Sequence, residues 1–139
     1  MGENQTILTS QLVAATHILR ELSDTIDPEF LGLISTVGQP VSVISSTKLV
    51  DSDSIASLAA NSYAASQQLA SMVEDSARTV MLHEGARFNI QIAQVTKSIL
   101  LVICFRRSSD IGRVRLIASR TVESLAEIFI SEGDKYGAD

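Results

Sequence analysis

Side chains able to do chemistry are few in this sequence, and their spacing does not suit it. His83 and Glu84 stand side by side, but the only other histidine is His17. A zinc site needs several nitrogen or sulfur ligands at characteristic spacings, so His83-Glu84-Gly85 reads as a turn at a strand end. Cys104 is the single cysteine and lies inside an apolar run. It reads as a small buried hydrophobe and allows neither a disulfide framework nor a cysteine metal cluster. Serines are plentiful, but no GxSxG elbow accompanies them. The stretch Ile111-Gly112-Arg113-Val114-Arg115 opens a helix with one glycine, and no GxxxxGK[ST] occurs. One glycine cannot cradle phosphates; Gly112 reads instead as letting its helix lie close to the preceding strand. Asp24, Asp27 and Glu29 crowd a proline turn, as a solvated loop does more often than a calcium site. Arg78, Arg87, Arg106 and Arg107 fall near strand ends. From there an arginine could reach a phosphate on a partner, though such arginines are ordinarily solvated. Acyl, phosphoryl and redox enzymes all need nucleophiles, bases or cofactor motifs that are missing here. The expectation is a protein that is not an enzyme and uses neither cofactor nor metal.

Composition narrows the partners. With 139 residues the chain forms one domain around one core. It is 45% hydrophobic and 19% charged, which excludes a disordered tail. Eleven Lys and Arg stand against sixteen Asp and Glu, for a net charge of -5, so no nucleic-acid footprint is expected. The longest strongly apolar run covers 99–105, far short of the roughly 20 residues of a membrane helix. The polar start has no basic, apolar leader pattern. These features predict a cytoplasmic protein without membrane insertion, with residues 1–5 and 133–139 as flexible ends.

The elements follow from periodicity. Residues 6–26 place Leu8, Leu12, Ala15, Leu19, Leu22 and Ile26 on one helix face, and Asp27-Pro28 ends it. Residues 30–36 and 41–45 read as strands joined through the Gly38-Gln39-Pro40 turn. A helix over 54–74, capped by Asp51 or Asp53, carries large apolar residues near its ends. These are Ile55, Leu58, Leu69, Met72 and Val73. Its waist is small: Ala59, Ala60, Ser62, Ala64, Ala65 and Ser66. Such a waist lets another backbone approach closely, either a sheet or a second helix. Residues 79–82 form a short strand. Residues 88–95 alternate, with Phe88, Ile90 and Ile92 against Asn89, Gln91 and Ala93. Residues 99–105 are apolar throughout and predict a strand buried on both faces. Ser108-Ser109-Asp110 supplies the cap of a final helix running to about residue 130, with Val114, Ala118, Val122, Leu125 and Phe129 among its buried positions. The sum is an α+β architecture: a five-stranded, mostly antiparallel sheet with three helices, the middle one crossing one face and the terminal two sharing the other.

Four stretches in this order resemble the Roadblock family. They are SIASLAANSYAASQQLASMV from Ser54, HEGARF from His83, ILLVICF from Ile99 and SDIGRVRLIASR from Ser109. Within the family they are most similar to the MglB type, although Asn61-Ser62-Tyr63 stands where a mid-helix glycine is common. The resemblance implies a homodimer, with higher assembly open, that joins two sheets edge to edge through the third strands. Here those strands are formed by Thr79, Val80, Met81 and Leu82. It also implies that the paired second helices bind a Ras-like small GTPase of the MglA type, in cell polarity and motility, through Ala60, Ala64, Gln67, Gln68 and Ser71. Activation of GTP hydrolysis would then proceed without an arginine finger, by repositioning the GTPase's own residues.

Two other readings stand beside this one. A Roadblock chain can be a scaffold subunit that holds a partner without accelerating anything. A sheet-and-helix domain can also enclose a small-molecule sensor pocket, but such a pocket needs convergent polar groups in an apolar lining, and aromatics are only 4% of this chain.

Overall fold

The structure is a computed structural model that describes residues 6–46, 51–73 and 80–137. Among these the chain runs α1 (Thr9–Ile26), β1 (Phe30–Ser35), β2 (Pro40–Ser46), α2 (Ser52–Ser71), β3 (Val80–Glu84), β4 (Phe88–Thr96), β5 (Ile99–Arg106) and α3 (Ile111–Gly137). The five strands form one antiparallel sheet in the order β2-β1-β5-β4-β3. β5 is central, as its unbroken apolar run requires.

Local chemistry sets the boundaries. Gln11 Oε1 accepts a hydrogen bond from the Leu8 amide at 2.9 Å, which fastens the start of α1. At the other end Asp27 takes a left-handed conformation, φ 48°, leaving the helical region as the following Pro28 demands. Asp51 caps α2 by accepting from the Ser54 amide at 3.1 Å and the Ser54 hydroxyl at 2.7 Å. Asp110 does the same for α3 through the Arg113 amide. Gly38 turns β1 into β2 with φ +93°, and a Cβ there would lie 3.3 Å from the Ser57 Cα of α2. Both the backbone and the space call for glycine.

Two cores sandwich the sheet. On one face α1 and α3 pack side by side over Leu31, Leu33, Leu101, Ile103 and Phe105, contributing Leu19, Leu22, Leu125 and Phe129. Each such side chain is worth about 1.5–3 kcal/mol when fully buried. Gln11, buried in this layer, donates its amide to the Ile128 carbonyl at 3.1 Å, so its place on an apolar face costs little. On the other face α2 lies over Phe30, Ile34, Leu100 and Val102 with Ala56, Ala59, Ala60 and Tyr63 turned inward.

Several details differ from the sequence expectations. β3 continues through His83 and Glu84, which pair with Ile90 and Asn89, so the turn moves to residues 85–87. His-Glu is solvated on an edge strand rather than forming a turn. The last helix continues to Gly137, because a formed helix propagates past the end of its apolar pattern. Gly112 is exposed, and a Cβ there would meet only the Asp110 carboxylate, at 3.4 Å; it serves no close approach to a strand. The alternation in β4 is as expected, but its polar face lies beneath α3. Asn89 is 0% and Gln91 3% exposed. Of the ends expected to be flexible, 1–5 and 133–139, residues 133–137 belong to α3, while 1–5 and 138–139, together with Arg78 and Thr79, lie outside the described residues.

Candidate functional site: the outer face of the second helix and the β3 edge

α2 is two-faced in an unusual way. Its fully buried residues are alanines, apart from Tyr63, whose hydroxyl donates to Gln94 Oε1 at 3.0 Å and ties the helix to β4. Ile55 is half-buried against the core beneath α2, but Leu58 and Leu69, with Met72 and Val73 just past the end of the helix, point away from the sheet. Leu58, Leu69, Met72 and Val73 are all strongly exposed, Leu69 by 68% and Met72 by 80%. Leu58, Ser62, Ala65, Leu69 and Met72 follow each other at steps of four and three, the spacing of a coiled-coil seam, on the face opposite the one that packs on the sheet. The seam is large at its ends and small in its middle. Two antiparallel copies centred on Ala65 would set Leu58 opposite the partner's Met72. Exposed aliphatic side chains arranged in this way mark an interaction face.

The site residues suggested by sequence divide across this helix. Ala60 is 5% exposed and packs on the sheet. Ala64, Gln68 and Ser71 are exposed, and Gln67 is half-buried. Ser71 folds its hydroxyl back onto the Gln68 carbonyl at 2.8 Å. The structure thus brings Ala64, Gln68 and Ser71 together along one flank of the outward face and sets Ala60 beneath it. The seam of Leu58, Leu69 and Met72 was missed as a site. Its signal was present in the spacing, but aliphatic residues are usually assigned to a core.

The two sheet edges are not equivalent. β2 begins at Pro40, and its pairing with β1 is broken by two register shifts. Prolines and bulges are the usual devices that stop an edge from recruiting strands. β3 pairs with β4 in regular register from Val80 to Glu84 and has neither device. Val80 is exposed, while Met81 and Leu82 are half-buried. By register Met81 shares a face with Ile92, on the α2 side. Two-fold pairing of β3 edges would therefore leave both α2 helices on the same face of a continuous sheet.

Other candidates for chemistry are placed elsewhere. Arg87 and Arg107 meet at the open end of the β4–β5 hairpin, where the Arg107 amide donates to the Arg87 carbonyl at 2.8 Å. Arg87 lies over the Phe88 ring, and Arg106 pairs with Glu29 at 3.3 Å. Burial, and then the Glu29 carboxylate, push the Cys104 thiol above its ordinary range, which makes it a poor nucleophile. Among the described residues, no group of three or more His, Cys, Asp and Glu side chains is placed to hold a metal, and no helix is long and apolar enough to cross a membrane.

Comparison with known proteins agrees with this architecture. MglB from Myxococcus xanthus superposes with a TM-score of 0.83 at 25% identity, covering 91% of this chain and 95% of that one. The gliding protein mglB of Thermus thermophilus gives 0.83 at 24% identity, over 92% and 97%. An MglB in a tetrameric arrangement gives 0.83 at 24%, over 92% and 96%. No curated protein matches the sequence significantly. The model of the Roadblock/LC7 domain matches residues 9–105, from α1 to the end of the central strand and well over half the chain, so this chain belongs to the Roadblock/LC7 domain family.

Proposed function

We propose that this chain is a cytoplasmic, non-enzymatic regulator that pairs through its β3 edges and docks a Ras-like small GTPase of the MglA type on its α2 face. The observation that carries the reading is the aliphatic seam of Leu58, Leu69 and Met72, held outward on a helix whose inward face is already filled. An outward seam is unfavourable in water and needs a partner helix or protein. Its small middle, flanked by Ala64 and Gln68, leaves room for a second backbone to come close. The likeness to MglB supports a small GTPase as the partner, in cell polarity or motility. Arg87, Arg106 and Arg107 lie at the end of the sheet rather than on α2, which fits an activator without an arginine finger. Acceleration would come from holding the GTPase's own residues in place.

The test is GTP turnover by an MglA-type GTPase titrated with this protein. Acceleration supports an activator. Binding without acceleration moves the reading to a scaffold subunit, which would use the same face. Absence of binding removes the GTPase from the account.

A further inference from the structure

α3 has a second unpartnered surface, on the opposite side of the sheet from α2. The flank that looks toward β3 forms, with β3 and β4, an open groove of about 490 Å³. Gln91 lies on its floor, Val80 at its β3 edge, and Arg115, Leu116, Ser119 and Glu123 on its helical wall. Gln91 is almost fully buried, yet its Oε1 has no hydrogen-bond partner. A buried, unpaired acceptor is unfavourable until a donor reaches it. Val80 and Leu116 stand exposed at the rim. Groove and acceptor together describe a surface that lacks a covering element.

The wall itself indicates which element fits. Its residues recur at helical steps of three and four, so they form one stripe. The stripe is symmetric in charge about Ser119: the exposed Arg115 lies as far before it as the exposed Glu123 lies after it. Opposed antiparallel to its own copy, the stripe places Arg115 opposite the partner's Glu123. Self-complementarity of this kind is what a two-fold interface requires.

We infer that a second copy of this chain closes this groove, with two reciprocal Arg115–Glu123 pairs bridging the α3 helices across the sheet. The inference rests on the β3-edge dimer proposed above and extends it to the face away from α2. α3 packs on β4. With two β3 strands between the two copies of β4, the α3 axes stand roughly 14 Å apart, or three strand spacings of about 4.8 Å. That exceeds the 8–10 Å of direct helix packing, so only long side chains cross the gap. Arginine and glutamate are such side chains. The guanidinium carries more donors than one carboxylate uses, which leaves one for the Gln91 oxygen beneath. Charge pairs of this kind fix register and exclude wrong partners, so the pair would select this chain's own copy.

Sedimentation equilibrium of the full chain tests the inference. Arg115→Glu and Glu123→Arg are each exposed changes that leave the fold intact, as circular dichroism would check. Each alone sets like charges face to face, and dimer dissociation is expected to rise about tenfold or more. Mixing the two variants restores opposite charges at both pairs, so a heterodimer should form with affinity within about threefold of the unaltered chain. Variants that dimerise as the unaltered chain does, or a mixture no tighter than either variant alone, would overturn the inference while leaving the β3 dimer standing. A monomeric unaltered chain would overturn both.

Discussion

Replacing Leu69 with alanine separates a docking surface from a core. A fully buried leucine is worth about 1.5–3 kcal/mol. In the free chain 68% of Leu69 is still in water, so about 1–2 kcal/mol remains to be gained when a partner covers it. Leu69→Ala should therefore weaken whatever covers the seam by about 5- to 30-fold. Fold stability should move by no more than about 0.5 kcal/mol, as for other surface changes. Calorimetric titration against the GTPase, sedimentation of the chain alone and a thermal melt read the three quantities separately. Unchanged affinity in both binding assays would refute the seam as an interface. A loss of several kcal/mol in the melt would show that Leu69 belongs to a core.

Further changes probe particular elements. Ala64→Arg puts a long cation on the exposed flank of α2 and should abolish GTPase binding in a pull-down with an unchanged melt; retained binding would exclude that flank. Asn89 is wholly buried with neither amide atom paired, so Asn89→Leu should raise stability by about 1–3 kcal/mol in urea titration; a loss would mean the amide is satisfied in solution. Gly38→Ala forces a side chain into φ +93° against Ser57 and should cost about 1–3 kcal/mol, while a neutral result would show that the turn can relax.

Much of the fold was legible because its signals are local. The residues of β5 are apolar without interruption, and only a central strand covered on both faces hides them all. Asp51, Asp110 and the Asp27-Pro28 step each mark a helix boundary through hydrogen bonding or backbone sterics that depend on near neighbours. The site was less legible because it depends on orientation. Ala60 and Ala64 look alike in sequence and sit one helical turn apart, yet the first packs on the sheet and the second is exposed. Leu58, Leu69 and Met72 would suit a core, and only the filling of the inward face by Ala56, Ala59 and Tyr63 shows that they are left outside. Asn89 and Gln91 mislead in the opposite sense: alternation assigns them to a polar face, and α3 covers that face. Sequence separation hides the cover, since α3 follows only after another strand.

The central claim is that the α2 face of a dimer holds a Ras-like GTPase. Binding of a GTP-loaded MglA-type GTPase, titrated to saturation with turnover followed in the same samples, tests it most directly. The account predicts saturation at one GTPase per two chains and a turnover increase of about tenfold or more, roughly 1.4 kcal/mol off the barrier, both lost in Ala64→Arg. No binding in any nucleotide state, or undiminished binding by Ala64→Arg and Leu69→Ala alike, would contradict it.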